Sequence, residues 1–149
     1  MLAVDDIGLP NLGITLDFCH MLMANEHPAL SAALCIKRNK LFGVHLNDGY
    51  RKNDDGLMIA SVNVFQTLEF VYYLIKNRYS EIIYFDTFPQ REDPILECSN
   101  NIDRMDMMAE IIKNIDEKSL QIALDKQDGM LFNQILWKDI FSSKSKEKA

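Results

Sequence analysis

The sequence predicts an α/β fold built on parallel strands. Three short apolar segments contain many β-branched and aromatic residues: LGITLDF, KLFGVHL and EIIYFDTF. The segments between them are longer, and their apolar residues recur at helical spacing. The order strand, helix, strand, helix, strand is typical of parallel βαβ units, whose crossovers are nearly always right-handed. We therefore expect one parallel sheet of three strands with helices packed on it.

The helices are predicted from apolar spacing and from proline. Pro28 suits the first turn of a helix, which we expect to run to about residue 40 with Leu30, Ala33, Leu34 and Ile36 facing inward. A second helix is predicted over about 62–77, after a polar loop. From residue 94 onward the pattern is helical throughout, so we expect a helical extension over 94–141.

Length and composition indicate a single globular domain. A chain of 149 residues with 48% hydrophobic and 26% charged residues can bury a moderate core. We expect that domain to cover residues 1–141. The last eight residues, SSKSKEKA, are polar and are expected to form a flexible tail over 142–149.

Charge and cysteine content exclude several classes of protein. The net charge of −6 argues against a nucleic-acid surface, because phosphate binding requires clustered Lys and Arg. No apolar run approaches the ~18 residues of a membrane span, and the first ten residues lack the basic region of a signal peptide. The cysteines are three in number, widely spaced, and form no CxxC motif. They predict reduced thiols in a cytoplasmic protein.

Polar side chains stand in phase near the ends of the three predicted strands. Side chains alternate between the two faces of a strand, and Asp17, His45 and Asp86 each lie on the face opposite the apolar one. Since parallel strands end at the same edge of a sheet, these residues should converge where α/β folds build their sites. Two carboxylates and an imidazole suit Mn²⁺, Co²⁺, Mg²⁺ or Zn²⁺. His20 and Asp54, in the following loops, could add ligands or hold a substrate.

Structural roles are the alternative for each of these residues taken alone. An acid at a strand end is often a helix N-cap or a hydrogen-bonding loop residue. A single histidine such as His20 is at least as often structural as ligating. The occurrence of three such residues in phase on consecutive strands favours a site.

Four blocks of sequence together carry a family resemblance. LPNLGITLDFCH, KLFGVHLND, DDGLMIAS and YFDTFPQRED resemble the xylose isomerase-like TIM barrel family of sugar isomerases, in particular its L-rhamnose isomerase-like branch. The resemblance extends over residues 9–93. It implies a partial TIM barrel in which the three strands correspond to the sixth, seventh and eighth strands of the complete barrel, so that only its C-terminal part is present.

The resemblance also implies roles for the strand-end residues. Asp17 is similar to a metal-bridging carboxylate of the family. His45 is similar to the histidine of the structural metal, and Asp86 to the last carboxylate of that metal. The cofactor implied is a divalent metal ion, with Mn²⁺ first and Co²⁺, Mg²⁺ or Zn²⁺ as alternatives.

A second, catalytic metal site is implied for the loops. His20 is similar to a ligand of that metal, and Asp54 to the first acid of a DxD motif that completes it. Here the motif reads DDG, so Gly56 stands where the second acid is expected.

The implied function is that of a divalent-metal-dependent aldose–ketose isomerase acting on a sugar or sugar phosphate. A TIM barrel needs eight strands and about 250 residues. Three strands would therefore make a fragment or truncated member, inactive or weakly active alone, that lacks a metal-binding glutamate and the walls of the sugar pocket.

Two other interpretations remain. The chain could be a non-catalytic structural or interaction remnant of the fold. The superfamily also includes metal-dependent endonucleases, which the negative charge disfavours. The open sheet is expected to be covered by a second copy of the chain in a homo-oligomer, which we favour, by a complementing half-barrel chain, or by the C-terminal helical segment folding back.

Overall fold

The computed structural model describes residues 1–141, and the predicted flexible tail at 142–149 lies outside the described residues. The chain forms two compact units, Met1–Met108 and a second that begins at Ala109. A single domain over 1–141 stays a prediction. The helices and strands are, in chain order, α1 (Leu2–Ile7), β1 (Ile14–Asp17), α2 (Phe18–Met23), α3 (Pro28–Lys37), β2 (Leu41–Leu46), α4 (Val64–Lys76), β3 (Ile83–Phe85), α5 (Pro94–Lys113), α6 (Glu117–Asp125) and α7 (Gly129–Phe141).

The first unit contains one parallel sheet with the strand order β1-β2-β3. Asp17 lies opposite His45, and His45 lies opposite Tyr84. Helices alternate with the strands, and three further helices follow the sheet. The predicted class is confirmed: an α/β fold consistent with a partial barrel, followed by a C-terminal helical segment.

One bulge interrupts the pairing of β1 with β2. Ile14 lies opposite Leu41, but the next residue, Thr15, lies opposite Gly43, which leaves Phe42 as the extra residue. Phe42 is accordingly exposed, although simple alternation would place it with the buried Val44. The register beyond the bulge is regular and brings the strand ends into line.

Among the described residues, the core lies on one face of the sheet. Leu16, Val44 and Leu46 are buried against the helices, and the rings of Phe18 and Phe70 meet edge-to-face with centroids 5.6 Å apart. Burial of such apolar surface contributes about 25 cal/mol per Å² to folding. Because the apolar side chains take this face, the alternating polar side chains emerge on the other.

The inward face of α3 differs from the sequence prediction. Ala29, Ala32 and Cys35 are buried, whereas Leu30 and Leu34 are exposed. The buried residues are small, and they allow α3 to pack closely against α4. The prediction for Leu30 and Leu34 was wrong because the closeness of this packing selects small side chains, and helical spacing alone does not reveal it.

Asp48 holds the ends of the loop that follows β2. This fully buried carboxylate accepts hydrogen bonds from the backbone amides of Gly49 (2.8 Å), Val62 (2.7 Å) and Asn63 (2.9 Å), and from the Asn63 side chain (2.6 Å). Its own backbone forms an antiparallel bridge to Leu57. Asp48 therefore binds the start of the loop at Gly49, its middle at Leu57 and its end at Val62 and Asn63.

The described part of the second unit, residues 109–141, is helical. Side chains from α5 and α6, including Ile112, Leu120 and Ala123, are buried. Asp116 is the N-cap of α6, and the hydroxyl and the amide of Ser119 both donate to it, at 2.7 and 3.1 Å. These hydrogen bonds hold the pKa of Asp116 below its usual range.

The described helices are 6 to 20 residues long. The longest of them, α5, has 20 residues and carries charges along its length. Among residues 1–141, no helix combines the length and the apolar character that a bilayer crossing requires.

We expect one of the three free thiols to react quickly with Ellman's reagent in the native protein. Cys98 is exposed, whereas Cys19 and Cys35 are buried. Burial raises the pKa of Cys19 to about 11 and also raises the pKa of Cys35, so neither forms a thiolate at mildly alkaline pH. Cys98→Ser should remove the fast phase, and denaturant should expose the other thiols. A fast phase that survives in Cys98→Ser would contradict the described packing.

We expect Asp48→Ala to lower the free energy of unfolding by about 3 kcal/mol or more, because it leaves several buried donors without an acceptor. Urea unfolding followed by circular dichroism measures this change. Asp103→Ala, at an exposed position on α5, is the matched control and should stay within about 0.5 kcal/mol of the wild type. Equal stability of the two variants would show that Asp48 does not hold the loop.

Candidate metal centre

Asp17 has two structural neighbours, one for each carboxylate oxygen. It is the last residue of β1 and the N-cap of α2, and its Oδ1 accepts a hydrogen bond from the His20 amide at 3.0 Å. Its Oδ2 lies 3.6 Å from Nδ1 of His45 on the adjacent strand. Asp17 is therefore both a helix N-cap and a member of the candidate site. The capping bond to Oδ1 fixes the carboxylate so that Oδ2 points toward His45.

His45 occupies the centre of the arrangement. It lies on β2 between its register partners Asp17 and Tyr84. Asp86 follows Tyr84 by two residues and so returns to the same face, where its Oδ2 lies 3.2 Å from His45 Nδ1. The Tyr84 ring is tilted against the His45 ring, with centroids 5.4 Å apart, and adds aromatic surface to this face.

The three predicted strand-end residues come together in space. One ligand atom from each of Asp17, His45 and Asp86 lies within 4.8 Å of the others. Their side chains are 12%, 40% and 29% exposed, so the cluster is accessible from the open face of the sheet. Two hard oxygens and one imidazole nitrogen at this spacing fit a divalent cation such as Mn²⁺. The arrangement is a possible metal site.

The other two predicted site residues form a separate pair. His20, exposed on α2, has its Nε2 3.1 Å from Oδ2 of Asp54, in the loop after β2. Within residues 1–141, the one group of three possible ligands is the strand-end cluster, and His20 and Asp54 are not members of it. They are connected to it through the His20 amide, which donates to Asp17.

Asn47 supports this pair and was not among the predicted site residues. It is fully buried, its Oδ1 accepts from the Cys19 amide at 3.0 Å, and its Nδ2 donates to Asp54 Oδ1 at 3.3 Å. The sequence does contain a signal for Asn47, because Asn47 and Asp48 directly follow an apolar strand. Polar side chains buried at such a point need hydrogen-bond partners.

Cys19 lies beside the site without the properties of a ligand. It is buried, and burial raises the pKa of its thiol to about 11; the nearby carboxylate of Asp54 acts in the same direction. A thiol binds metal or attacks a substrate as the thiolate, which is scarce at neutral pH when the pKa is this high. The chemistry of the site therefore depends on its carboxylates and imidazoles.

Comparison with known proteins agrees with the fold. Residues 3–97 match the xylose isomerase-like TIM barrel family, whose members are often metal-dependent. No curated protein matches the chain. The matched residues include all three strands and the Asp17, His45 and Asp86 cluster. The match covers more than half of the sequence, and the chain belongs to the xylose isomerase-like TIM barrel family.

Proposed function

We propose that this protein is a divalent-metal-dependent sugar isomerase domain of the aldose–ketose type, in which Asp17, His45 and Asp86 hold one cation. The observation that carries the proposal is the convergence of three ligand atoms within 4.8 Å at the carboxyl ends of three adjacent parallel strands. That edge is where barrels of this kind place their chemistry. Two carboxylates and one imidazole, with no thiolate among the three ligands, favour Mn²⁺ over softer metal ions.

The chemistry of such a centre is Lewis-acid catalysis. Asp17, His45 and Asp86 would hold the cation, which would supply Lewis-acid polarisation of a sugar oxygen as hydrogen moves between adjacent carbons. The residues of this chain supply the geometry: the N-cap bond fixes Asp17, and the flanking strands fix His45. We assign His20 and Asp54 to the substrate side, where an imidazole and a carboxylate can hold sugar hydroxyls.

We also propose a class of substrate. The four sequence blocks support the L-rhamnose isomerase-like branch, and hence a sugar or sugar phosphate as substrate. The exposed ring of Tyr84 is suited to pack against the apolar face of a sugar.

The three free thiols support a cytoplasmic location.

The described strands provide part of a site, and we propose that other strands complete it. β1 and β3 are the two edges of the described sheet. A parallel sheet is stable when both faces are covered, and unpaired edges attract further strands. Exposed Ile82 and Tyr84 lie on or beside β3. A second copy of the chain is the partner we favour, and a complementing half-barrel chain is the alternative.

A non-catalytic interaction module is the second candidate function. The observation that favours it is Gly56, which stands where the resemblance implies an acid, beside open sheet edges that suit a binding partner. Turnover of an aldose by the purified protein would exclude this candidate.

We expect Asp17→Asn and His45→Gln each to weaken Mn²⁺ binding by at least about 100-fold, because each removes a direct ligand and even an outer partner costs about 10–100-fold. Isothermal titration calorimetry of the full chain measures the affinity. Asp103→Asn, a charge change of the same kind at an exposed position on α5, should leave it unchanged. Unaltered affinity in both ligand variants would reject the proposed metal site, provided that circular dichroism shows that each variant is folded.

We expect the purified chain to self-associate, with a mass by light scattering that is a multiple of the monomer mass. Ile82→Lys should shift the equilibrium toward monomer, since charge at a sheet edge opposes further pairing. Met107→Lys, at a similarly exposed position on α5, is the control. A monomer at all accessible concentrations would argue for a complementing chain instead.

A further inference from the structure

The second metal site implied by the resemblance lacks one ligand. Besides the bridging carboxylate that Asp17 resembles, it would consist of His20, Asp54 and an acid two residues after Asp54. That position is Gly56, which has no side chain to offer. The structure shows what occupies the place of the missing carboxylate.

Phe88 lies directly over Gly56. A Cβ built on Gly56 would collide with the ring of Phe88 and would lie 2.9 Å from the Phe88 Cβ. The Phe88 amide donates to the Gly56 carbonyl at 2.8 Å, so the backbone of Phe88 is held in this position. Gly56 has φ +57°, in the left-handed region that glycine adopts freely and aspartate tolerates. The obstacles to a carboxylate here are therefore the ring and the Cβ of Phe88.

The two remaining residues are bonded to each other rather than arranged around a vacant position. Asp54 Oδ2 faces His20 Nε2 at 3.1 Å, and Asp54 Oδ1 accepts from Asn47 Nδ2 at 3.3 Å. Asn47 is fully buried and anchored by the Cys19 amide. Both oxygens of Asp54 thus have partners, and no third ligand among residues 1–141 joins the pair in a group.

From this geometry we infer that the centre holds a single cation, because Phe88 closes the second position and His20 stays hydrogen-bonded to Asp54. The inference rests on the proposed function, since it takes the Asp17, His45 and Asp86 cluster to be the occupied site. The role of His20 and Asp54 on the substrate side is then hydrogen bonding to sugar hydroxyls, without a second metal.

The number of Mn²⁺ ions bound by the full chain tests the inference. We expect one per chain by calorimetry and by elemental analysis, lost in Asp17→Asn and kept in Asp54→Asn. Two ions per chain, with one lost in Asp54→Asn, would overturn the single-cation centre while leaving the proposed function intact. No bound Mn²⁺ at all would overturn the proposed function and this inference with it.

Histidine NMR identifies the ligand directly. The chain has three histidines, and we expect saturating Zn²⁺, a diamagnetic probe, to produce a large ¹⁵N shift in His45. His20 should keep the signature of a ring bonded to Asp54, and His27, which lies beside Glu69, is the internal control. A coordination shift of the His20 nitrogen would overturn the inference.

Two substitutions at the closed position test the role of Phe88. Gly56→Asp alone should still bind one Mn²⁺, because Phe88 occupies the space. The double variant Gly56→Asp/Phe88→Gly, which removes both the ring and the Cβ of residue 88, should bind two, and Phe88→Gly alone, the matched control, should bind one. A second ion in Gly56→Asp alone, or a single ion in the folded double variant, would show that Phe88 does not close the site.

Discussion

The in-phase register of three parallel strands is the constraint on which the site depends. Asp17, His45 and Tyr84 lie in one row across the sheet, and Asp86 follows two residues later on the same face. A slip of one residue in any strand would turn its polar side chain into the core. The register is protected by the opposite face, where Leu16, Val44 and Leu46 would become exposed by the same slip. Burial of the apolar side chains on one face of the sheet therefore fixes the positions of the polar side chains on the other face.

Local hydrogen bonds convert this coarse placement into a defined geometry. Asp17 uses one oxygen to cap α2 and so directs the other toward His45. Asp48 pins the loop that carries Asp54, and Asn47 orients the Asp54 carboxylate toward His20. Each of these groups is buried or partly buried, where an unpaired donor or acceptor is costly, and this cost keeps the network intact.

The site face remains the least covered part of the sheet. The polar cluster is accessible, Tyr84 is exposed, and both strand edges are open within the described residues. In this family's fold such a face belongs inside a closed barrel, which excludes water and strengthens electrostatic interactions. The proposed partner strands would supply that environment together with further ligands. Metal affinity and assembly are therefore expected to depend on each other.

Local patterns in the chain were sufficient to predict the three parallel strands, the helices α3 and α4 between them and the shared face of Asp17, His45 and Asp86, but not the short helix α2. Period-two alternation is a property of each strand alone, so it can be seen without knowledge of the contacts. The inward face of α3 was predicted wrongly because it depends on how closely α3 and α4 approach. Asn47 and Phe88 make contacts 28 and 32 residues away in the chain, with Cys19 and Gly56. Such contacts exist only after the loops fold against the sheet, and no local spacing encodes them.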